Sequence, residues 1–189
     1  MKLKSISKIL ESRFITRYDI DYETEDGRDK VYEMVSRDRN ISSPEDLANR
    51  KDDAVIIVAT DPSGSRILVN REFRLAVNTW VYNFPAGLME DGEDPVESAR
   101  RELREETGLS LLSVDYVSHS SYSAIGISNE RNVMVVCTAD GKFSKSTSDE
   151  EEIKAGWYSR DEIRKLLESE MFTARTQAYC YLWSRLRSM

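Results

Sequence analysis

Three glutamates at helical spacing form a distinct acidic group in this sequence of 189 residues. Glu102, Glu105 and Glu106 are related as i, i+3 and i+4, so a helix would present their carboxylates on one face. Arg101 can reach Glu105, but one arginine does not neutralise three acids. Carboxylate oxygens without a nearby His or Cys select hard cations such as Mg²⁺, Mn²⁺ or Ca²⁺. The residues therefore indicate either a divalent metal site or a solvated, charged helix face.

The helix that would carry these glutamates has clear boundaries in the sequence. Asp94 can cap the first turn, Pro95 suits the first helical position, and Gly108 suits a left-handed C-terminal cap. These signals predict a helix over residues 95–107. Apolar residues recur at helical spacing on a second face, which would pack on the protein core.

The rest of the chain combines strand signals with a few helices. Residues 6–35 predict a long β-hairpin that turns at Asp26-Gly27, and residues 38–52 predict a polar surface loop. The nearly continuous Val/Ile run over 54–60 predicts a central strand buried on both faces. Further strands are predicted over 66–70, 80–84, 113–121, 132–138 and 153–158, and further helices over 160–168 and 173–187. Strands mixed with few helices predict an α/β sandwich with a mixed sheet.

Composition excludes several classes of protein. The 34 acidic and 27 basic residues give a net charge of −7, which argues against a protein that binds the phosphate backbone of nucleic acid. One histidine, His119, and two cysteines, Cys137 and Cys180, are too few for a Cys/His zinc site, and we expect the thiols to be buried. No apolar run approaches the roughly 20 residues that span a bilayer, and the N-terminus lacks a signal-peptide core. We therefore expect a cytoplasmic protein without nucleic-acid or membrane partners.

The acidic helix lies within a longer motif. Residues 87–109 are GLMEDGEDPVESARRELREETGL, which matches the pattern G-x5-E-x7-R-E-U-x-E-E-x-G-U, with U aliphatic, at every defined position. The chain therefore resembles the Nudix hydrolases, whose box this pattern is. The resemblance implies a Nudix α/β/α sandwich and hydrolysis of a diphosphate that is linked to a nucleoside or another group. Glu93, inside the box, has either a structural or a catalytic role.

The resemblance also implies a set of metal ligands. Glu102 and Glu106 would be the principal ligands, Glu105 would assist, and the backbone carbonyl of Ala86 would complete the set. Arg101 would orient the glutamates during catalysis. The implied cofactor is Mg²⁺ or Mn²⁺, with two or three ions in each active site, and these ions would reverse the local field for an anionic substrate.

The acidic segment 149–152 resembles the family's loop that supplies a catalytic carboxylate. Alignment on the strand that follows favours Glu151 as the general base or as a further metal ligand. Asp149 and Glu152 are alternatives, whereas Glu150 reads as part of a solvated charge run.

Several segments resemble the ADP-ribose pyrophosphatase branch of the family. The sequence Arg71-Glu-Phe-Arg74, followed by Phe84-Pro-Ala-Gly87, resembles the strand and loop that lead into the box, and Arg74 would contact substrate phosphate. Trp80, between these two segments, would line either the pocket or a dimer interface. The loop 121–130 resembles the pattern Tyr-Pro-Ser-Pro-Gly-x-Ser-x-Glu, with Glu130 at its end as a substrate-binding candidate. Both prolines are absent from this loop, which weakens the assignment of ADP-ribose but not that of a hydrolase.

The N-terminal hairpin resembles the extra β-element through which this branch forms domain-swapped homodimers. Phe14 and Tyr32 fall where the branch has aromatic residues that stack on adenine, and Glu33 and Arg37 would bind the base and the phosphate or ribose. An aromatic residue on a strand more commonly packs in a core. The resemblance divides the chain into an N-terminal extension and loop, residues 1–52, for dimerisation and base binding, and a Nudix hydrolase domain, residues 53–189.

Together these features predict metal-dependent hydrolysis of the pyrophosphate bond of a nucleoside diphosphate sugar, with ADP-ribose giving AMP and ribose 5-phosphate. The alternatives are another substrate, such as GDP-mannose, a different nucleoside diphosphate sugar or a damaged nucleoside triphosphate. A module that senses a nucleotide sugar without turning it over is a further alternative. The intact box argues against that module, because a sensor is free to lose its glutamates.

Overall fold

The computed structural model describes residues 1–49, 51–147 and 152–186. Their elements, in chain order, are β1 (Lys2–Glu11), β2 (Thr16–Glu23), β3 (Asp29–Ser36), α1 (Pro44–Leu47), β4 (Ala54–Thr60), β5 (Arg66–Arg74), β6 (Thr79–Asn83), β7 (Ala86–Leu88), α2 (Pro95–Thr107), β8 (Ser110–Val117), β9 (Ser121–Tyr122), β10 (Arg131–Asp140), β11 (Ile153–Ser159), α3 (Arg160–Ser169) and α4 (Ala174–Arg185). They form two compact units: the described parts of Met1–Asp53 and Ser120–Asn132, and the described parts of Ala54–His119 and Val133–Met189.

The first unit is built on a three-stranded antiparallel sheet in the order β1-β2-β3. The predicted hairpin is formed by β2 and β3, and its turn places Gly27 at φ +78°, where glycine is favoured. β2 buries alternate residues, so that Tyr18 and Ile20 enter a small apolar core with Met34 of β3. β1 was not predicted as a separate strand, and it extends the hairpin by pairing with β2.

The segment 120–132 completes this unit. β9 pairs with the first two residues of β10, and the N–H of Val35 in β3 donates to the carbonyl of Ile127 at 2.9 Å. The described residues of 38–52 are largely loop, as predicted, but they include the short helix α1, which Ser43 and Asp46 cap reciprocally. The predicted domain boundary at residue 52 lies next to Asp53, where the first segment of this unit ends. The prediction did not include residues 120–132 in the N-terminal unit. The assignment of dimerisation and base binding to residues 1–52 stays a prediction.

The second unit is a mixed sheet with helices on both faces. Five strands follow the order β11-β5-β4-β10-β8, while β6 pairs with β5 and β7 pairs with β4. β4 is buried on both faces, as predicted, because its alternate residues enter two different cores. Val55 and Ile57 pack with Ala99 and Leu103 of α2, whereas Ile56 and Val58 belong to the core that includes residues of α3 and α4. This is the α/β/α sandwich that the sequence predicted.

One of the predicted strands differs from the structure. A single strand over 113–121 is wrong, because β8 begins at Ser110 and ends at Val117, and β9 is a separate short strand. His119 lies beyond the end of β8 and is exposed to solvent.

Cys137 and Cys180 are buried free thiols, as expected. None of the helices in the described residues has the length and apolar character needed to cross a membrane.

Candidate active site

Helix α2 has the ends that its sequence predicts. Asp94 accepts a hydrogen bond from the N–H of Val96 at 2.8 Å, and Pro95 occupies the first turn. Gly108 adopts φ +80°, and its N–H donates to the carbonyl of Arg104 at 2.9 Å. These caps fix the start and the end of the helix. They thereby help to determine the direction in which its glutamate side chains point.

Gly87 allows one of these glutamates to approach the neighbouring strand. A side-chain carbon built on Gly87 would overlap the carboxylate of Glu102. The carboxylate therefore lies directly against the backbone of β7, in which Ala86 precedes Gly87. Only glycine permits this approach, which gives a physical reason for the first residue of the box.

Arg101 connects the loop after β7 to the helix. Its guanidinium donates to Glu93 at 3.1 and 3.0 Å, to Glu102 at 2.7 Å and to the carbonyl of Leu88 at 2.9 Å. Glu105 lies further from it, at 3.4 Å, and is half exposed. Arg101 thus contacts all three acids named here, in keeping with an orienting role for this side chain.

The ion pair between Arg101 and Glu93 changes the titration of both groups. The hydrogen bonds from Arg101 lower the pKa of Glu93 to about 2, although partial burial opposes the shift. The N–H of Glu90 also donates to Glu93, at 3.0 Å. The same pairing raises the pKa of Arg101 above its ordinary value. Glu93 is therefore ionised at neutral pH and fastens the loop to the helix.

Glu106 is buried and is held by a residue that the sequence analysis did not single out. Asn70, on β5, is fully buried, and its Nδ2 donates to Oε2 of Glu106 at 2.7 Å. The Oδ1 of Asn70 accepts no hydrogen bond from any described residue. A polar residue after the apolar run Ile67 to Val69 of a buried strand was the signal that could have identified it.

A second buried polar group lies two residues further along β5. Glu72 accepts a hydrogen bond from Asn83 at 2.9 Å, and it lies 3.5 Å from the guanidinium of Arg74. The Oδ1 of Asn83 in turn accepts from Thr173 at 2.7 Å and from Thr176 at 3.1 Å. These contacts run from the first turn of α4 through Asn83 and Glu72 to an ion pair with Arg74, the predicted phosphate contact.

A cavity of about 210 Å³ adjoins this group, and Glu72, Arg74, Glu152 and Ile153 are among its lining residues. Glu152, one of the two alternative candidates for the base, is the last residue of the acidic segment 149–152, and its carbonyl accepts from the N–H of Phe73 at 3.0 Å. Glu151, the predicted general base, lies outside the described residues, as do Asp149 and Glu150.

The predicted metal ligands are all oxygen donors, and their chemistry suits a hard divalent cation. Glu102 lies against β7, Glu105 is beside Arg101, and Glu106 is held by Asn70. Within residues 1–49, 51–147 and 152–186, no three His, Cys, Asp or Glu side chains are grouped as a metal site. Because residue 87 is glycine, the Glu102 carboxylate lies against the backbone of β7. This close approach of a carboxylate to the backbone suits an ion that is held by carboxylates and a backbone carbonyl. The ligand set stays a prediction.

Trp80, whose role the sequence left open, packs on its own strand pair. Its ring meets Phe73 edge-on at 5.8 Å between centroids, and the cations of Arg71 and Lys154 lie 5.2 and 4.6 Å from its centroid. Trp80 therefore packs against side chains of the neighbouring strands β5 and β11.

The first unit contains the other predicted substrate residues. Phe14 is exposed between β1 and β2, with the Arg13 guanidinium 4.9 Å from its ring centroid. Tyr32 packs beside the small core of this unit, and its hydroxyl donates to the carbonyl of Gly126 at 2.5 Å. Glu33 is exposed and lies 3.3 Å from Arg17. The roles of these residues in base binding stay predictions.

Two of the predicted substrate residues are brought together by the structure. Arg37, just after β3, donates through Nε to Oε2 of Glu130 at 3.0 Å. The sequence named both residues but did not predict that they pair, because 93 positions separate them. The pair fastens the 121–130 loop to the N-terminal sheet.

Known proteins share sequence with this chain. A family model described as the NUDIX domain matches residues 50–178, which is more than half of the chain. Nudix hydrolase 19, chloroplastic, from Arabidopsis thaliana is 34% identical over 62% of the chain, which spans only 27% of that protein. ADP-ribose pyrophosphatase from Bacillus subtilis (strain 168) is 30% identical over 71% of the chain and 72% of that protein.

A solved structure shares the fold. The crystal structure of an ADP compounds hydrolase superposes with a TM-score of 0.75 and covers 98% of the chain and 93% of its own, at 22% identity. The family model, the box on α2 and the shared fold lead to one conclusion: the chain belongs to the Nudix hydrolase family.

Proposed function

We propose that this protein is a Nudix pyrophosphohydrolase that cleaves a nucleoside diphosphate sugar, with ADP-ribose as its substrate and AMP and ribose 5-phosphate as products. The observation that carries the proposal is the arrangement of the box, in which Arg101 holds Glu93 and Glu102 while Glu102 lies against Gly87. The resemblance to the Bacillus subtilis enzyme named ADP-ribose pyrophosphatase supports the choice of substrate.

The proposal includes Mg²⁺ or Mn²⁺, two or three ions in each site, as members of this family typically use a divalent metal. Glu102 and Glu106 would hold the metal, Glu105 would assist, and the carbonyl of Ala86 would complete the ligand set. A bound divalent ion supplies positive charge that neutralises the diphosphate and acidifies water. Arg101 keeps the helix and the preceding loop in register, and so keeps Glu102 beside β7.

The chemical step uses one water and one base. Glu151 takes a proton from the attacking water, the water oxygen bonds to one phosphorus, and the bridging P–O bond breaks. The two products leave as phosphate monoesters. Arg74 would offset negative charge on the leaving phosphate, and Glu72 orients Arg74 from a distance of 3.5 Å.

The first unit would bind the nucleoside. Phe14 and Tyr32 would stack on the base, and Glu33, Arg37 and Glu130 would bind polar groups of the base, ribose or phosphate. Exposed apolar side chains near β1, such as Ile9, Leu10 and Phe14, support a homodimer formed through this N-terminal sheet. Such a dimer would sediment at twice the 21.8 kDa of one chain.

A substrate panel tests the proposal. The full-length protein would be assayed with ADP-ribose, GDP-mannose, another nucleoside diphosphate sugar and 8-oxo-dGTP, each with Mg²⁺, with Mn²⁺ and with excess chelator. We expect ADP-ribose to give the highest kcat/KM, chelator to abolish turnover, and Glu106→Gln to lower the rate by several hundredfold without changing the fold.

Other outcomes separate the alternatives. Preference for GDP-mannose or 8-oxo-dGTP would replace the substrate but retain the family chemistry. Binding of a nucleotide sugar without turnover, with no difference between wild type and Glu106→Gln, would indicate a sensing module instead.

A further inference from the structure

The contact between Asn70 and Glu106 joins two buried side chains from different elements. Asn70 is on β5 and is fully buried, and Glu106 is on α2 and is almost as buried. The Asn70 Nδ2 donates to Glu106 Oε2 at 2.7 Å, a short distance for an amide donor on a carboxylate. A charge-assisted bond of this kind restricts the position of the carboxylate it contacts.

Asn70 is an unexpected residue at its position in the strand. Leu68, two residues earlier on the same face of β5, packs in the core beneath α2 with Ala99 and Leu103. An apolar residue at position 70 could continue that core. The chain instead buries an amide whose Oδ1 accepts no hydrogen bond from the part of the chain that the structure describes. An unsatisfied buried acceptor destabilises a fold, so stability alone does not account for Asn70.

The orientation of the amide is determined by chemistry. An ionised carboxylate only accepts hydrogen bonds, so the amide must direct Nδ2 rather than Oδ1 at Glu106. The unsatisfied Oδ1 is therefore the consequence of holding Glu106 from this side. Residues that break a local rule in this way concentrate at functional sites.

We propose that Asn70 is a positioning residue that fixes the carboxylate of Glu106 for binding a divalent metal ion. The inference rests on the proposed function, because that function makes Glu106 a metal ligand. Asn70 acts through Glu106 and contacts neither the substrate nor the reacting water. Partners that orient a metal ligand typically change metal affinity about 10- to 100-fold when they are lost.

The test measures metal affinity and stability separately. Mn²⁺ would be titrated into full-length wild type, Asn70→Leu and Asn70→Ala by calorimetry without substrate, and each protein would be unfolded thermally without metal. Leu has nearly the shape of Asn but no donor, and Ala avoids any steric strain at this site. Asn132→Leu is the matched control, since Asn132 is also buried but bonds to Ser121 and Ser123.

We expect both Asn70 variants to weaken Mn²⁺ binding at least tenfold, while Asn132→Leu keeps the wild-type affinity within about twofold. We expect both Asn70 variants to remain folded without metal but to unfold at a lower temperature than wild type, because the buried Glu106 carboxylate loses a hydrogen bond. In hydrolysis assays the half-saturating Mn²⁺ concentration should rise in step with the Kd, with a smaller change in rate at saturating metal. Loss of a residue with a purely structural role would lower the unfolding temperature but leave the Mn²⁺ Kd and the half-saturating Mn²⁺ concentration of the folded protein unchanged.

The opposite results would overturn the proposal. Folded Asn70 variants with wild-type Mn²⁺ affinity would show that Glu106 needs no such partner, and unfolding of both variants would show that Asn70 serves stability instead. Failure of the proposed function has a different signature: wild type would bind Mn²⁺ but hydrolyse no diphosphate, and the affinity comparison at Asn70 would still be decisive. Wild type that binds no Mn²⁺ would overturn both proposals.

Discussion

Arg101 and Glu93 form a two-point ion pair, in which Nε and Nη2 of the guanidinium lie 3.1 and 3.0 Å from the two carboxylate oxygens. The fork of an arginine matches a carboxylate in this geometry, so the pair has a fixed orientation as well as a favourable charge. The remaining donors of Arg101 reach Glu102 and the carbonyl of Leu88. One side chain therefore sets the distance between α2 and the loop that precedes it.

The Glu93→Gln variant should lose stability in a manner that depends on pH. The pKa of Glu93 is lowered from 4.5 to about 2, so this carboxylate contributes stability that is fully present above pH 4.5 and is lost as pH falls towards 2. At pH 7 we expect the free energy of unfolding of the variant to be about 1–3 kcal/mol lower than that of wild type. Urea unfolding at several pH values should show this difference shrinking between pH 4.5 and pH 2.

Glu97→Gln is the control for that measurement. Glu97 is on the same helix, but its carboxylate is largely exposed and lies 3.8 Å from Arg100. Such surface pairs contribute at most about 1 kcal/mol. A Glu93→Gln deficit that stayed constant from pH 7 to pH 2 would contradict the ion-pair explanation.

The Gly87→Ala variant should lose metal affinity but little stability. The added methyl group would overlap the Glu102 carboxylate, which can rotate away because it is the end of a flexible side chain. The fold would then survive, while the carboxylate would leave its position beside β7. We expect Mn²⁺ binding to weaken by about 10- to 100-fold, measured by calorimetry on the full-length protein.

Gly126→Ala separates this effect from the general cost of replacing glycine. Nothing lies within 4 Å of a side-chain carbon at Gly126, so the methyl group would enter open space. Its Mn²⁺ affinity should match that of wild type. Equal affinities in both variants would show that the close approach at Gly87 is not needed for metal binding.

Both thiols should be unreactive in the native protein. Burial raises the pKa of Cys137 and of Cys180 to about 12, and the thiolate is the form that reacts with disulfide reagents. We expect no thiol to react with Ellman's reagent at pH 8 in native buffer within minutes, and both to react in guanidinium chloride. Rapid native reaction of either thiol would show that its core opens on that timescale.

Local signals were sufficient for the elements with strong boundaries. Residues 95–107 and 54–60 were predicted with the observed limits, because caps define α2 and a continuous apolar run defines β4. The turn at Asp26-Gly27 likewise identified the hairpin of β2 and β3. β1 was missed as a separate strand, since most of its side chains are exposed and only its pairing with β2 makes it a strand.

The site was predictable only where its residues are close in sequence. The box residues lie within 87–109, so their spacing alone identifies the group. Asn70 and Glu106 are 36 positions apart, and neither helical nor strand periodicity relates them. Glu72 and Asn83 pair across two neighbouring strands, which requires the register of β5 and β6. Contacts of this kind depend on the three-dimensional packing of elements, which a single sequence does not supply.

The ion pair between Arg37 and Glu130 should affect substrate binding more than stability. Both side chains are partly exposed, so their coupling in a double-mutant cycle of unfolding should be about 0.2–1 kcal/mol. If the pair holds the nucleoside part of the substrate, Arg37→Ala and Glu130→Ala should each raise KM for ADP-ribose about tenfold with little change in kcat. Because the two groups act together, the double variant should lose little more than the worse single variant.

Lys4 and Asp29 provide a matched control, since they form an exposed ion pair at 2.8 Å in the same N-terminal sheet. Replacing either by alanine should change stability by a similar amount and leave KM unchanged. A KM that is also unchanged in the Arg37 and Glu130 variants would contradict the substrate role. The pair would then serve only to hold the 121–130 loop against β3, and the polar groups of the nucleoside would need other partners.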